Sequence, residues 1–180
     1  MTTSLLVTLI GLAYALPHIW GVLNPSDFGK RLRTLPRSYR LGLVLMIAAT
    51  GWFLWRVSNT DISDFAPYKN YMYAGFAAVG IGCCFFVRDF LAVRGFAVLL
   101  LLLAATTVEK VRWLDSDWRL VMVTWAYVWV IAGMWFTISP WRMRNWIEWW
   151  TATEGRTRIG SASRAIFGLG VAALGLTVLR

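Results

Sequence analysis

Six apolar stretches of roughly bilayer-spanning length leave this chain little to build except a bundle of membrane helices. They run Ser4–Leu23, Leu41–Val57, Asn70–Val87, Gly95–Val111, Arg119–Ile138 and Ala165–Leu179. A helix needs about 20 apolar residues to cross the hydrocarbon core. In lipid, every backbone donor and acceptor must be satisfied inside the segment, which a helix does. The chain has 180 residues, so six crossings consume most of it. Only 15% of its residues are charged, against about 25% in soluble domains. The expected fold is an all-α integral membrane protein. It forms one membrane domain over residues 1–180, with about six transmembrane helices arranged as three hairpins. Ala13-Tyr14-Ala15 has the small-x-small look of a signal-peptide cleavage site. No Lys or Arg precedes the apolar run, however, so the first segment is read as a retained transmembrane helix.

The net charge of +9 does not point to nucleic acid, because the basic residues sit in short links between apolar runs. There they set orientation, since Lys and Arg collect on the cytoplasmic side. If the link from Asn24 to Arg40 is cytoplasmic, that side receives 12 of the 18 basic residues. Both ends of the chain then face the opposite side. The middle hairpin is expected to turn through Arg88-Asp89-Phe90-Leu91-Ala92-Val93-Arg94, and polar outer links fall around Ser58–Lys69 and Glu109–Trp118.

The two long cytoplasmic links repeat one pattern. In the first, an apolar helix reaches Asn24-Pro25, a short basic stretch follows, and Tyr39-Arg40-Leu41-Gly42 opens the next helix. In the second, Ser139-Pro140 plays the same part and Thr157-Arg158-Ile159-Gly160 precedes the last helix. Asn and Ser suit helix N-caps, and proline suits the first helical position. Phe28, Leu32 and Leu35 form an apolar stripe on the first short helix. Met143, Trp146, Ile147 and Trp150 form one on the second, with Arg144 and Glu148 an i, i+4 pair on the other face. Two interfacial amphipathic helices are therefore expected. Lys30, Arg31, Arg33, Arg142 and Arg144 would face anionic headgroups, and Trp141, Trp146, Trp149 and Trp150 would sit at indole's preferred depth. The copies, about 7–56 and 123–180, flank a middle hairpin at 70–111. They form a parallel repeat about an axis along the membrane normal.

Both copies resemble the small bacterial YjeT-like inner-membrane proteins, a two-helix family. The residues that carry the resemblance are Asn24-Pro25, Phe28, Lys30, Arg31, Leu35-Pro36, Arg40 and Gly42, then Ser139-Pro140, Arg144, Arg158 and Gly160. The second copy lacks a counterpart of Pro36, and its turn is longer. The resemblance implies a small component of the bacterial cytoplasmic membrane and no catalytic activity. The middle hairpin lies outside it.

Candidate chemistry is sparse. His18, the single histidine, follows Pro17 in the first segment. It is either an axial ligand for a haem or chlorin, or a packed residue bonded to backbone or Tyr14, with Pro17 freeing a carbonyl for that bond. Arg88, Asp89 and Arg94 either lock the middle turn or hold a lipid headgroup. Around Glu109, Lys110, Arg112, Asp115, Asp117 and Arg119 a buried acid could serve proton transfer, but their place at the segment edge favours a solvated outer link with offsetting charges. Adjacent Cys83 and Cys84 fit neither an ordinary disulfide nor a metal site, and read as packing residues. Small residues four apart, at Gly11 and Ala15, Ala74 and Ala78, Ala78 and Gly82, and Gly168 and Ala172, allow close helix packing. No zinc-protease, phosphate-loop or nucleophile-elbow motif occurs, so no enzyme, metal or resident cofactor is expected. The leading expectation is a non-catalytic accessory or scaffold subunit that packs against other membrane proteins or itself. The alternatives are a transporter of small solutes or lipids, and a pigment- or haem-associated subunit using His18. A mostly apolar midplane, broken by Thr8, Thr50, Thr106, Thr107 and Thr124, counts against the transporter.

Overall fold

The computed structural model describes residues 2–60 and 67–177. Asp61, Asp64 and Arg180, which the sequence places on the outer side, lie outside the described residues. The chain forms α1 (Thr3–Leu23), α2 (Pro25–Thr34), a 3-10 turn (Leu35–Arg37), α3 (Tyr39–Asn59), α4 (Lys69–Phe86), α5 (Leu91–Val111), α6 (Arg119–Ile138), α7 (Trp141–Trp150) and α8 (Glu154–Thr177). Among the described residues there is no strand. Five helices, α1, α3, α5, α6 and α8, are long and apolar enough to cross a membrane. The third apolar segment became α4, which has 18 residues and opens on Lys69 and Asn70. It is not among those five.

Helix starts lie upstream of several expected bounds, for local reasons. Thr153 caps α8: its hydroxyl accepts from Arg156 N at 3.3 Å and its carbonyl from Thr157 N at 3.0 Å. Arg156, Arg158 and Arg164, expected in a link ending before Ala165, are therefore helical. Ser38 caps α3 by accepting from Leu41 N, so Tyr39 and Arg40 are helical too. Pro25 opens α2 as expected, whereas Pro140 stands one residue ahead of α7. Asn24 and Ser139 stop the incoming helices, and each supplies a carbonyl to the next turn, accepting from Phe28 N and Arg142 N. The middle turn is shorter than expected. It is complete by Phe90, which takes a left-handed φ of 55°, and Leu91 to Arg94 already belong to α5.

The contacts divide the chain into two compact units: Met1–Thr34 with Leu103–Ile131 and Arg144–Arg180, and Leu35–Leu102 with Ala132–Met143. Neither unit is one sequence copy. In the first, α1 and α8 pack antiparallel along their length. A Cβ built on Gly11 would stand 2.5 Å from Ala172 N and 2.7 Å from Gly168 O, and one on Gly168 2.9 Å from Ala15 N. Ser4 Oγ donates to Gly175 O at 2.6 Å. Ser4, Thr8, Gly11 and Ala15 thus face Ala165, Gly168, Ala172 and Gly175, small residues at alternating four- and three-residue steps that bring backbones together. The small-residue pairs Gly11/Ala15 and Gly168/Ala172 are partners of one another.

In the second unit α3 packs antiparallel to α4 and parallel to α5. Tyr39 Oη donates to Cys84 O at 3.2 Å, and a Cβ on Gly95 would meet Met46 N at 2.8 Å. Met46, Cys84 and Leu91 form one buried cluster; Val93, Ala97 and Phe136 form another, against which Phe90 packs. The expected Ala74–Ala78–Gly82 packing stripe is not used in this way. Ala74 and Ala78 are exposed, and α4 instead turns Gly80 onto Thr50. The two cysteines are free thiols, with Cys84 buried.

Candidate functional site

The most densely polar-aromatic region of the first unit lies where the end of α1 meets the start of α8. His18 Nδ1 is 2.7 Å from Tyr14 O. A carbonyl only accepts, so Nδ1 carries the proton and Nε2 keeps its lone pair. The carbonyl that Pro17 frees is that of Ala13, four residues back. His18 instead uses its own i−4 carbonyl. The Tyr14 and Phe28 rings flank it, at centroid distances of 4.8 and 6.0 Å.

Arg164 reaches the same region from α8. Its guanidinium lies 3.4 Å from the Trp150 ring centroid and 5.8 Å from that of Trp146, and the Tyr14 phenol is its electrostatic neighbour. Stacking on indole stabilises a charge partly withdrawn from water. Trp150 Nε1 is buried without a hydrogen-bond partner. Behind Tyr14, the Trp125, Trp129 and Phe167 rings continue the cluster at centroid distances of 4.5 to 5.0 Å. Arg164, counted as a link residue in the sequence, is the largest omission from the expected site. Its place in the first three turns of α8 became visible only once Thr153 was seen to cap that helix.

The amphipathic helices gather at this end. Arg33 Nε donates to Thr151 Oγ1 at 2.7 Å and Arg33 Nη2 to the Thr151 carbonyl, tying α2 to the end of α7. Of the two apolar stripes, Phe28 and Ile147 are buried against the protein, and Leu35 and Trp146 are exposed. Lys30 pairs loosely with Asp27 at 3.9 Å, and Arg144 with Glu148 at 3.7 Å. Arg31 stacks on Trp20 at 5.1 Å and Arg156 on Trp149 at 5.6 Å. Trp141, Trp146 and Trp149 are exposed.

In the second unit Arg142 stacks on Trp135 at 5.5 Å, and Arg88 is exposed. Arg94 does not close on Asp89; its Nη1 donates to the Thr137 carbonyl at 3.3 Å. Among the described residues no cluster of His, Cys, Asp or Glu is arranged to hold a metal ion. No family model, curated protein or solved structure matches the chain.

Proposed function

We propose that this chain is a multi-pass component of the bacterial cytoplasmic membrane that acts without chemistry of its own, as an accessory or scaffold subunit of a larger assembly. In this reading α4 joins the five longer helices to give six crossings in three hairpins. The long turns carry α2 and α7 on the cytoplasmic side, both ends face outward, and the two copies are fused YjeT-like units. The observation that supports it is the apolar surface left on helices of membrane-spanning length. On α1, Leu5, Leu9, Leu12 and Leu16 form one exposed stripe at helical spacing, and on α3 Val44 and Ile47 are each 63% exposed, an apolar surface of the kind that marks a membrane or partner face. Lipid and neighbouring helices are the surroundings that favour such faces, and tryptophan supplies large contact area. The bond from His18 to the Tyr14 carbonyl fixes the ring and leaves Nε2 with its lone pair, an arrangement common to a packed histidine and an axial ligand.

The test is extraction in mild detergent followed by crosslinking and size analysis. Co-purification with a membrane partner, or a defined self-assembly, is expected. A lone monomer after gentle crosslinking would overturn the scaffold role.

A further inference from the structure

The second unit contains a cleft of about 280 Å³ between α3, α4, α5 and α6. Met46 and Phe53 mark its length on α3, and Phe76 and Cys83 mark it on α4. Because these helices run antiparallel, Met46 and Cys83 share one end and Phe53 and Phe76 the other. Seven residues separate the ends, about 10 Å at 1.5 Å per residue. At the far end the Phe53 and Phe76 rings meet edge-on with centroids 4.8 Å apart.

Arg94 lines the cleft at the Met46 end, since its neighbour Gly95 abuts Met46. One guanidinium nitrogen donates to Thr137 O. Arg94 Nε is buried with no hydrogen-bond partner, and no carboxylate of the described residues pairs with the charge. Most of the remaining lining is apolar. A half-buried guanidinium with an unsatisfied Nε and no paired carboxylate, set beside an apolar cleft, offers an anion a charge-assisted partner. Arg94 lies in the first turn of α5, so the polar end sits toward the α4–α5 turn and the aromatic end deeper along the helices.

We propose that this cleft holds one acyl chain of an anionic phospholipid, with the phosphate on Arg94 and the chain end against Phe53 and Phe76. A guanidinium fork matches phosphate geometry. The volume is just under the roughly 300 Å³ where small-molecule sites begin, so it suits a single chain segment while the second chain stays in the bilayer. The proposal rests on the bilayer reading above, which a carbonate wash of membranes tests separately: release of the protein into the wash overturns that reading first.

The experiment reconstitutes the full chain in nanodiscs of equal phosphatidylglycerol and phosphatidylcholine, then releases it for native mass spectrometry. One retained phosphatidylglycerol is expected, enriched at least fivefold over phosphatidylcholine. Arg94→Gln should abolish the enrichment and Arg94→Lys should keep part of it. Arg37→Gln, at an exposed cation of the same unit that does not line the cleft, should leave it unchanged. Val98→Phe, which narrows the cleft and keeps the charge, should lower retention of the lipid, and it decides the matter if Arg94→Gln fails to fold. Equal retention of the two lipids, enrichment that survives in folded Arg94→Gln, or recovery of a free fatty acid in place of phospholipid would each overturn the proposal.

Discussion

At single positions, the closeness of α1 to α8 makes the sharpest demands. A side chain at Gly11 would meet backbone atoms of α8, which have no rotamer by which to yield. Gly11→Leu should therefore destabilise the protein by about 3 kcal/mol. Gly51→Ala, on an open helix face, should stay within about 1 kcal/mol of the parent. Thermal unfolding in detergent, followed by helical circular dichroism, separates the two. Arg33 offers a graded case, because one of its bonds goes to the Thr151 side chain and one to the backbone. Arg33→Gln should cost about 1–2 kcal/mol, since charge-assisted bonds to a partly exposed group are lost. Thr151→Val leaves the carbonyl contact and should cost less. Equal losses in a denaturant series would mean that the side-chain bond carries all of the effect.

Among the helices, the sequence told most where one segment sufficed. The spacing of Phe28 and Leu32 made α2 legible, and apolar length located the cores of α1, α5 and α6. The onset of α8 was missed because Arg156, Arg158 and Arg164 look like link residues until an indole and a phenol are seen to receive the last of them. Trp125, Trp129 and Phe167 drew no assignment from the sequence, because their mutual packing depends on which helices become neighbours. Likewise, Gly11 and Gly168 were each readable as packing residues, but nothing local in the chain says that they meet. Packing of the α2 and α7 ends on the α1–α8 pair leads to a further prediction. In a background carrying Cys83→Ala and Cys84→Ala, Lys30→Cys and Arg144→Cys should react from the same side of the membrane. Both should resist an impermeant maleimide in intact cells and label after permeabilisation. Labelling from opposite sides would refute the shared placement of the two amphipathic helices.

For the molecule as a whole, the crossing number turns on α4. Its polar first turn shortens the apolar part of an 18-residue helix, so its span depends on neighbouring helices and on Tyr71 and Tyr73 near one interface. Topology reporters fused after Asn59 and after Arg88 should report opposite sides; the same side for both would remove α4 from the count. Pairing of α1 with α8 also bears on how the protein is made. More than a hundred residues separate the end of α1 from the start of α8, so a ribosome delivers the second on the order of ten seconds after the first. During that interval the notched flank of the earliest helix is without its mate, and whatever shelters it then (lipid, insertase or a provisional neighbour) must let go when the last helix arrives.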